Sequence, residues 1–375
     1  VIEQRRLARW RQSELGAALR EGVAMIEWYW RTRRSLVCLD FGRDHVSAVE
    51  LVKGVVTRWT SWPLAEDALR NGDPTRPTAL AVTVGHALAD AGIEARNARL
   101  ALPDEATVSR HLVLPAMPRR DLARAMYFAA ERHLPFPIAR ARWSWDVVER
   151  TPSQVTLYLV ATWRDVVDHY VEVARGAGLV PQALEPRSIA VARAVDQEEA
   201  LLVDTGGQRL HATLLVDGQP AFVDNVVTAG TAGGRREALD RLLQRAYRYQ
   251  STAAARTGRL APVLLAGDLE REEVELAVAG RPVSEVLNGQ LPLSPNGFRP
   301  TEYLANLGLA MSQAPRRTRV PQVNLLSAPR RGFRVPLPRR AQELALIVVA
   351  VLVWGSAAFG VALLLGWHPH LGGGP

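Results

Sequence analysis

Two short carboxylate–glycine motifs are the residues best placed to do chemistry. Asp40-Phe41-Gly42 ends the apolar run that starts at Leu36, and Asp204-Thr205-Gly206-Gly207 ends the apolar run Ala200-Leu201-Leu202-Val203. In a two-lobed nucleotide fold such a pair has a defined job. Glycine lets the backbone approach a phosphate, the amides of the following hairpin donate to it, and the aspartate holds a hydrated Mg²⁺. Either motif alone equally fits a strand running into a turn. The signal is the pair, each opening a β-hairpin, roughly a domain half apart.

The elements that must position these motifs alternate along the chain. After the first motif, Val46–Val52 reads as a returning strand. Pro77–Ala91 is predicted helical, with Leu80, Val84, Ala87 and Leu88 on one face. Ala98–Leu102 and Ser109–Leu114 are predicted strands, and Pro118–His133 an amphipathic helix stopped by Pro135. Trp143, Trp145 and Val147 alternate inward along a strand. Val155–Ala161 is a further strand, and Asp165–Arg175 a helix ended by Gly176-Ala177-Gly178. The second cycle repeats the plan: strand Leu210–Val216, a turn at Asp217-Gly218, a long helix Arg235–Arg256, the strand Val263–Ala266 and a last helix Thr301–Leu309. The fold class expected is α/β.

Charge is concentrated in one place. The net charge is +8, and the stretch 315–340 holds eight arginines (Arg316, Arg317, Arg319, Arg330, Arg331, Arg334, Arg339, Arg340) and no acid. The rest of the chain therefore sums to zero. A basic patch beside an apolar helix favours anionic lipid headgroups over nucleic acid, and no zinc-finger spacing or RNA-binding aromatic signature is present. The Pro/Arg composition of this linker opposes packing. The eight histidines show no metal-ligand spacing, so no metal site is expected. Cys38 reads as a buried core residue.

Leu344 to Trp367 contains no charged residue. As a helix it would run about 36 Å, enough to cross a hydrocarbon core of about 30 Å. A transmembrane helix is thus expected at 341–367, with a short extracytoplasmic tail at 368–375. Arg330, Arg331, Arg334, Arg339 and Arg340 form its membrane-proximal basic flank, which places the N-terminus and main body in the cytoplasm. Residues 1–34 have helical, amphipathic composition, with Leu7, Trp10, Leu19, Ile26 and Trp30 among arginines. They fit a membrane-surface helix or a plain extension. The N-terminus has no apolar core of the signal-peptide kind.

Several stretches resemble the type IV pilus assembly protein PilM family, which is related to FtsA. They are Leu39-Asp40-Phe41-Gly42 with Ala48-Val49-Glu50-Leu51, Leu112-Val113-Leu114-Pro115, His133-Leu134-Pro135-Phe136-Pro137, Gly176-Ala177-Gly178-Leu179-Val180-Pro181 and Leu202-Val203-Asp204-Thr205-Gly206. The resemblance covers about 35–314. It implies a two-lobed actin-like (ribonuclease-H-like) fold with a small α+β subdomain inserted at about 104–185. It also implies a nucleotide site at Asp40, Gly42, Asp204, Gly206, Gly207, Gly230 and Gly267, with ATP and Mg²⁺ as its ligands.

The departures weaken that site. Arg43, Asp44 and His45 stand where the family has small hydroxyl residues, Ser47 replaces an expected lysine, Leu210 a threonine, and Gly267-Asp268 a Gly-Gly pair. A carboxylate in a phosphate cradle repels its ligand, and no residue is evident to orient an attacking water. No catalytic residue is assigned, and a scaffold without turnover is expected.

Pro321-Gln322-Val323-Asn324-Leu325-Leu326 resembles the cytoplasmic N-terminus of the partner protein PilN, which docks into a groove of PilM ahead of a membrane helix. The chain thus resembles a PilM–PilN fusion, with Asn324, Leu325 and Leu326 docking in cis or on a neighbouring copy. The resemblance implies an inner-membrane scaffold linking the pilus assembly motor to PilN/PilO-like and PilC-like platform proteins, with anionic lipids and self-association as further contacts. A type II secretion component of the GspL kind and a working actin-like ATPase remain alternatives.

Overall fold

The computed structural model describes residues 35–42, 44–206, 208–228, 232–257, 261–267, 283–285, 291–313 and 320–327. The expected N-terminal extension, the basic flank from Arg330 to Arg340, the expected membrane segment and tail, Arg43, Gly207, Gly230 and Asp268 lie outside them. Among the described residues no helix is long and apolar enough to cross a membrane.

The chain opens with strands β1 (Leu36–Phe41), β2 (His45–Val52) and β3 (Val55–Pro63), two short strands β4 (Leu69–Arg70) and β5 (Asp73–Pro74), helix α1 (Pro77–Asp90) and strand β6 (Asn97–Leu102). Then come β7 (Val108–Pro115), α2 (Arg119–His133), β8 (Ala141–Arg150), β9 (Gln154–Trp163), α3 (Arg164–Gly176), β10 (Val180–Pro186) and α4 (Arg187–Val195). The rest comprises β11 (Ala200–Gly206), β12 (Arg209–Val216), β13 (Gln219–Val227), α5 (Ala232–Thr257), β14 (Val263–Leu265), β15 (Val283–Glu285) and α6 (Leu304–Ala310).

Two sheets share one topology. The first runs β3-β2-β1-β6-β10 and the second β13-β12-β11-β14-β15. In each, three antiparallel strands are followed by two that join in parallel. The two Asp-x-Gly motifs end the equivalent central strands β1 and β11. Asp40 faces Ser47 across its hairpin, and Asp204 faces His211 across the other.

Both central strands are sandwiched, which explains their unbroken apolar sequences. In β11, Leu201 and Val203 pack on Leu239, Leu242 and Leu243 of α5, while Ala200 and Leu202 join the core of the first lobe. Helices α4 and α6 cross tightly between the sheets. A Cβ on Gly308 would lie 1.8 Å from the carbonyl oxygen of Ala190, so only glycine fits that crossing. Arg193 crosses the same layer, gripping Glu185 with Nη1 and Nη2 (2.5 and 2.8 Å) and donating to the Gly308 carbonyl at 2.8 Å. Cys38 is fully buried, and burial pushes its thiol up to about 12, the inert state expected of a core cysteine.

The inserted subdomain is narrower than 104–185. Its sheet has the order β7-β9-β8 and is covered by Leu122, Met126 and Ala130 of α2. Helix α3 and strand β10 belong instead to the first lobe, because β10 pairs with β6 and Val166, Tyr170 and Val173 join that lobe's core. The last helix is also shorter than expected, a 3₁₀ turn over Pro300–Tyr303 preceding α6.

Candidate functional site

Asp40 and Asp204 meet where the two lobes join, and an arginine stands between them. Arg187, the first residue of α4, donates from Nε to Asp40 Oδ2 at 3.1 Å and from Nη2 to Asp204 Oδ2 at 2.7 Å. All three side chains are buried, with relative exposures of 8%, 4% and 3% for Arg187, Asp40 and Asp204. Burial works against the guanidinium charge, but Asp204 and then Asp40 outweigh it and raise its pKa above the usual arginine value. Among the described residues, the Oδ1 atoms of both aspartates have no hydrogen-bond donor.

The hairpins are also tied directly. Asp44, in the turn after β1, accepts from the backbone N–H of Gln208 in the turn after β11 at 2.7 Å, and its other oxygen lies 3.0 Å from His45 Nδ1. Burial would raise the Asp44 pKa, yet the bonds from His45 and Gln208 hold it below the usual carboxylate range. His211 is held well below its usual value by burial and then by the nearby Arg187, so it is neutral at physiological pH. Asp104 caps the start of α4, accepting from the Ser188 N–H (3.1 Å) and hydroxyl (2.5 Å). Burial pushes its carboxyl up to about 7 despite the Ser188 bonds and the nearby Arg187.

A second constellation lies on the edge of the first sheet. Asn324 Oδ1 accepts from the Leu184 N–H at 3.1 Å, and Asn324 Nδ2 donates to the Gln182 carbonyl at 3.1 Å. The Leu325 N–H donates to the Leu184 carbonyl at 2.8 Å. From the subdomain side, Ser144 Oγ accepts from the Asn324 N–H (3.2 Å) and Asp146 Oδ2 from the Gln322 N–H (2.9 Å). Val320, Val323 and Leu325 are buried, while Leu326 is partly buried against the same core. Residues 320–327 thus strap the edge strands β10 and β8, although their linker's composition opposes packing. The strap occupies backbone groups that an open sheet edge would leave unpaired.

The sequence profile of the type IV pilus assembly protein PilM family matches residues 38–228, half of the chain. The chain belongs to the PilM family. Among solved structures, the PilM–PilN type IV pilus biogenesis complex is similar with a TM-score of 0.60 and 20% identity, over 75% of this chain and 98% of that one. The cytoplasmic domain of EpsL, an inner membrane component of the type II secretion system of Vibrio cholerae, has a TM-score of 0.45 and 12% identity, over 78% and 98% of the two chains. No curated protein sequence matches. The fold is the actin-like ATPase α/β fold, in keeping with the duplicated sheets.

The residues of this PilM-family chain do not fit the nucleotide that the fold implies. Mg²⁺ takes oxygen ligands at about 2.0–2.1 Å in near-octahedral geometry. Here the guanidinium already lies between the two carboxylates, and a second cation would be repelled at close range. Among the described residues, no group of three or more His, Cys, Asp or Glu side chains is placed to hold a metal ion. The loop at Gly267 is crowded too. A Cβ on Gly267 would sit 1.9 Å from Thr205 Oγ1, so this loop lies directly against the second hairpin. Ser47, in place of the expected lysine, is turned into the core to donate to Asn306 Oδ1 at 2.9 Å.

Sequence reasoning placed Asp40 and Asp204 but missed Arg187, Asp104 and Gln208. No local pattern marked Arg187, which stands between Pro186 and the short apolar run from Ile189 in a stretch without a helical signature.

Proposed function

We propose that this chain is a cytoplasmic scaffold of the type IV pilus inner-membrane assembly platform, anchored by its C-terminal apolar segment and without ATP turnover. The observation that carries the reading is the PilM-family match across the first lobe, subdomain and second hairpin. PilN-like and PilO-like proteins, the assembly motor ATPase and a PilC-like platform protein would be its partners, with anionic lipids beside the basic flank. The Arg187 bridge and the absent fit for Mg²⁺ support a scaffold over a working ATPase.

Deleting the gene in its host tests the role. Surface pili should disappear and return when the wild-type chain is supplied. Normal piliation with a loss of protein secretion would instead support the GspL-like alternative.

The strap at 320–327 supports docking of the Asn324-Leu325-Leu326 segment in cis, a PilN-like arrangement within one chain. Asn324→Ala removes both bonds to β10 and leaves the part-buried Leu184 N–H without its partner, a loss of about 1–2 kcal/mol. Trypsin should then cut the arginine-rich linker roughly ten times faster than in wild type. An unchanged cleavage rate would exclude docking by this side chain.

A further inference from the structure

We propose that Arg187 and Asp44 are built-in surrogates for the metal ion and a phosphate oxygen of a nucleotide, holding the two lobes closed with no ligand. This stands apart from the pilus reading, since it concerns what the interlobe centre can bind. Two independent contacts carry it. In a nucleotide-binding member of such a fold, a divalent cation would face the two aspartates while a phosphate would receive the hairpin amides. Here the guanidinium takes the cationic role, bonded at once to Asp40 of the first hairpin and Asp204 of the second. The Asp44 carboxylate takes the anionic role, reaching from the first hairpin to the Gln208 N–H of the second.

Each surrogate spans the lobe junction, so together they make the connection that a bound ligand would otherwise supply. The charges follow the same logic. A cation lies between two carboxylates and an anion meets a hairpin amide, as Mg²⁺ and phosphate would. Because both groups are part of the chain, the connection is intramolecular and independent of nucleotide concentration. Opening by loss of nucleotide, available to a member that holds its lobes with ATP, is therefore removed. Gly267 lies directly against Thr205 of the second hairpin.

The prediction is a metal-blind wild type and a metal-responsive variant. In thermal unfolding of the purified full chain, millimolar Mg²⁺ with or without ATP should leave the wild-type midpoint unchanged from that in chelator. Arg187→Gln should lower the midpoint by several degrees in chelator, because two buried carboxylates lose their cation. Mg²⁺ or Mn²⁺ alone should restore most of that loss, and adding Asp204→Asn to the Arg187→Gln chain should abolish the restoration. A wild-type midpoint that rises with ATP·Mg²⁺ would overturn the proposal, as would an Arg187→Gln chain indifferent to divalent cations. If Arg187→Gln does not fold, the charge-neutral triple variant Asp40→Asn, Arg187→Gln, Asp204→Asn decides. Recovery of folding without metal supports the charge argument, and failure to fold refutes it.

Discussion

At the scale of single residues, the lobe junction is governed by a small number of buried charges whose partners are all internal. Asp104 is the one whose proton is poised near neutrality. Its folded pKa, about 7, lies above the ordinary aspartate value of about 4, so the fold favours the protonated form. Its contribution to stability is therefore fully present below about pH 4 and is lost as pH rises through about 7. Asp104→Asn keeps an acceptor for the Ser188 N–H and cannot ionise. The stability difference, wild type minus variant, should fall between pH 4 and pH 7 in urea unfolding. Its slope cannot exceed the ~1.4 kcal/mol per pH unit of one fully linked group, since folded and unfolded states differ by at most one proton at this site. A pH-independent difference would show that this carboxyl does not titrate with folding. Asp40 and Asp204 were legible as a pair from their strand–glycine contexts. That Arg187 would reach both was not, since the three residues are brought together only by the pairing of two separate sheets around α4.

Among the elements, the crossing of α4 and α6 decides how closely the lobes approach. Both helices are short, and every residue of both is buried, so neither turns a polar side to solvent. The stretch carrying α4 drew no helical assignment from its sequence, whereas α2 was visible from its apolar stripe. Gly308→Ala places a methyl group within 1.8 Å of the Ala190 carbonyl oxygen, a backbone atom that cannot swing aside. The expected cost is about 3 kcal/mol or more, at or above the upper end for overpacking, read from the urea midpoint. A loss under about 1 kcal/mol would mean that the helices can separate freely. The meander strand β3 and the edge strand β10 were also missed. Trp59, Trp62 and Pro181 give mixed patterns there, and pairing with β2 and β6 overrides local preference.

For the whole molecule, one consequence of the proposed anchor can be tested directly. The strap leaves the described body at Ser327, ahead of the basic flank and the apolar segment. In carbonate-washed membranes from expressing cells, the full chain should stay with the lipid fraction, while a chain ending at Ser327 should be released. Retention of the shortened chain would place the attachment in the body or in residues 1–34. The shortened chain should keep its strap, because Asn324 and Leu325 find their partners on β10 and β8.

Sequence by itself determined the alternation of strands and helices, the two Asp-x-Gly turns, the local origin of the net charge and the family. All of these are written in patterns that span a few consecutive residues or turns. The tertiary structure alone decided what fills the centre between the lobes. Asp44 looked like a misplaced charge in a phosphate cradle, and in the fold it meets the Gln208 amide 164 positions away. Arg187 carried no motif, and in the fold it neutralises two aspartates 147 and 17 positions distant. Contacts of that kind follow from how the sheets pack. The physical reason is that a buried charge is stable only where a partner has been brought to it.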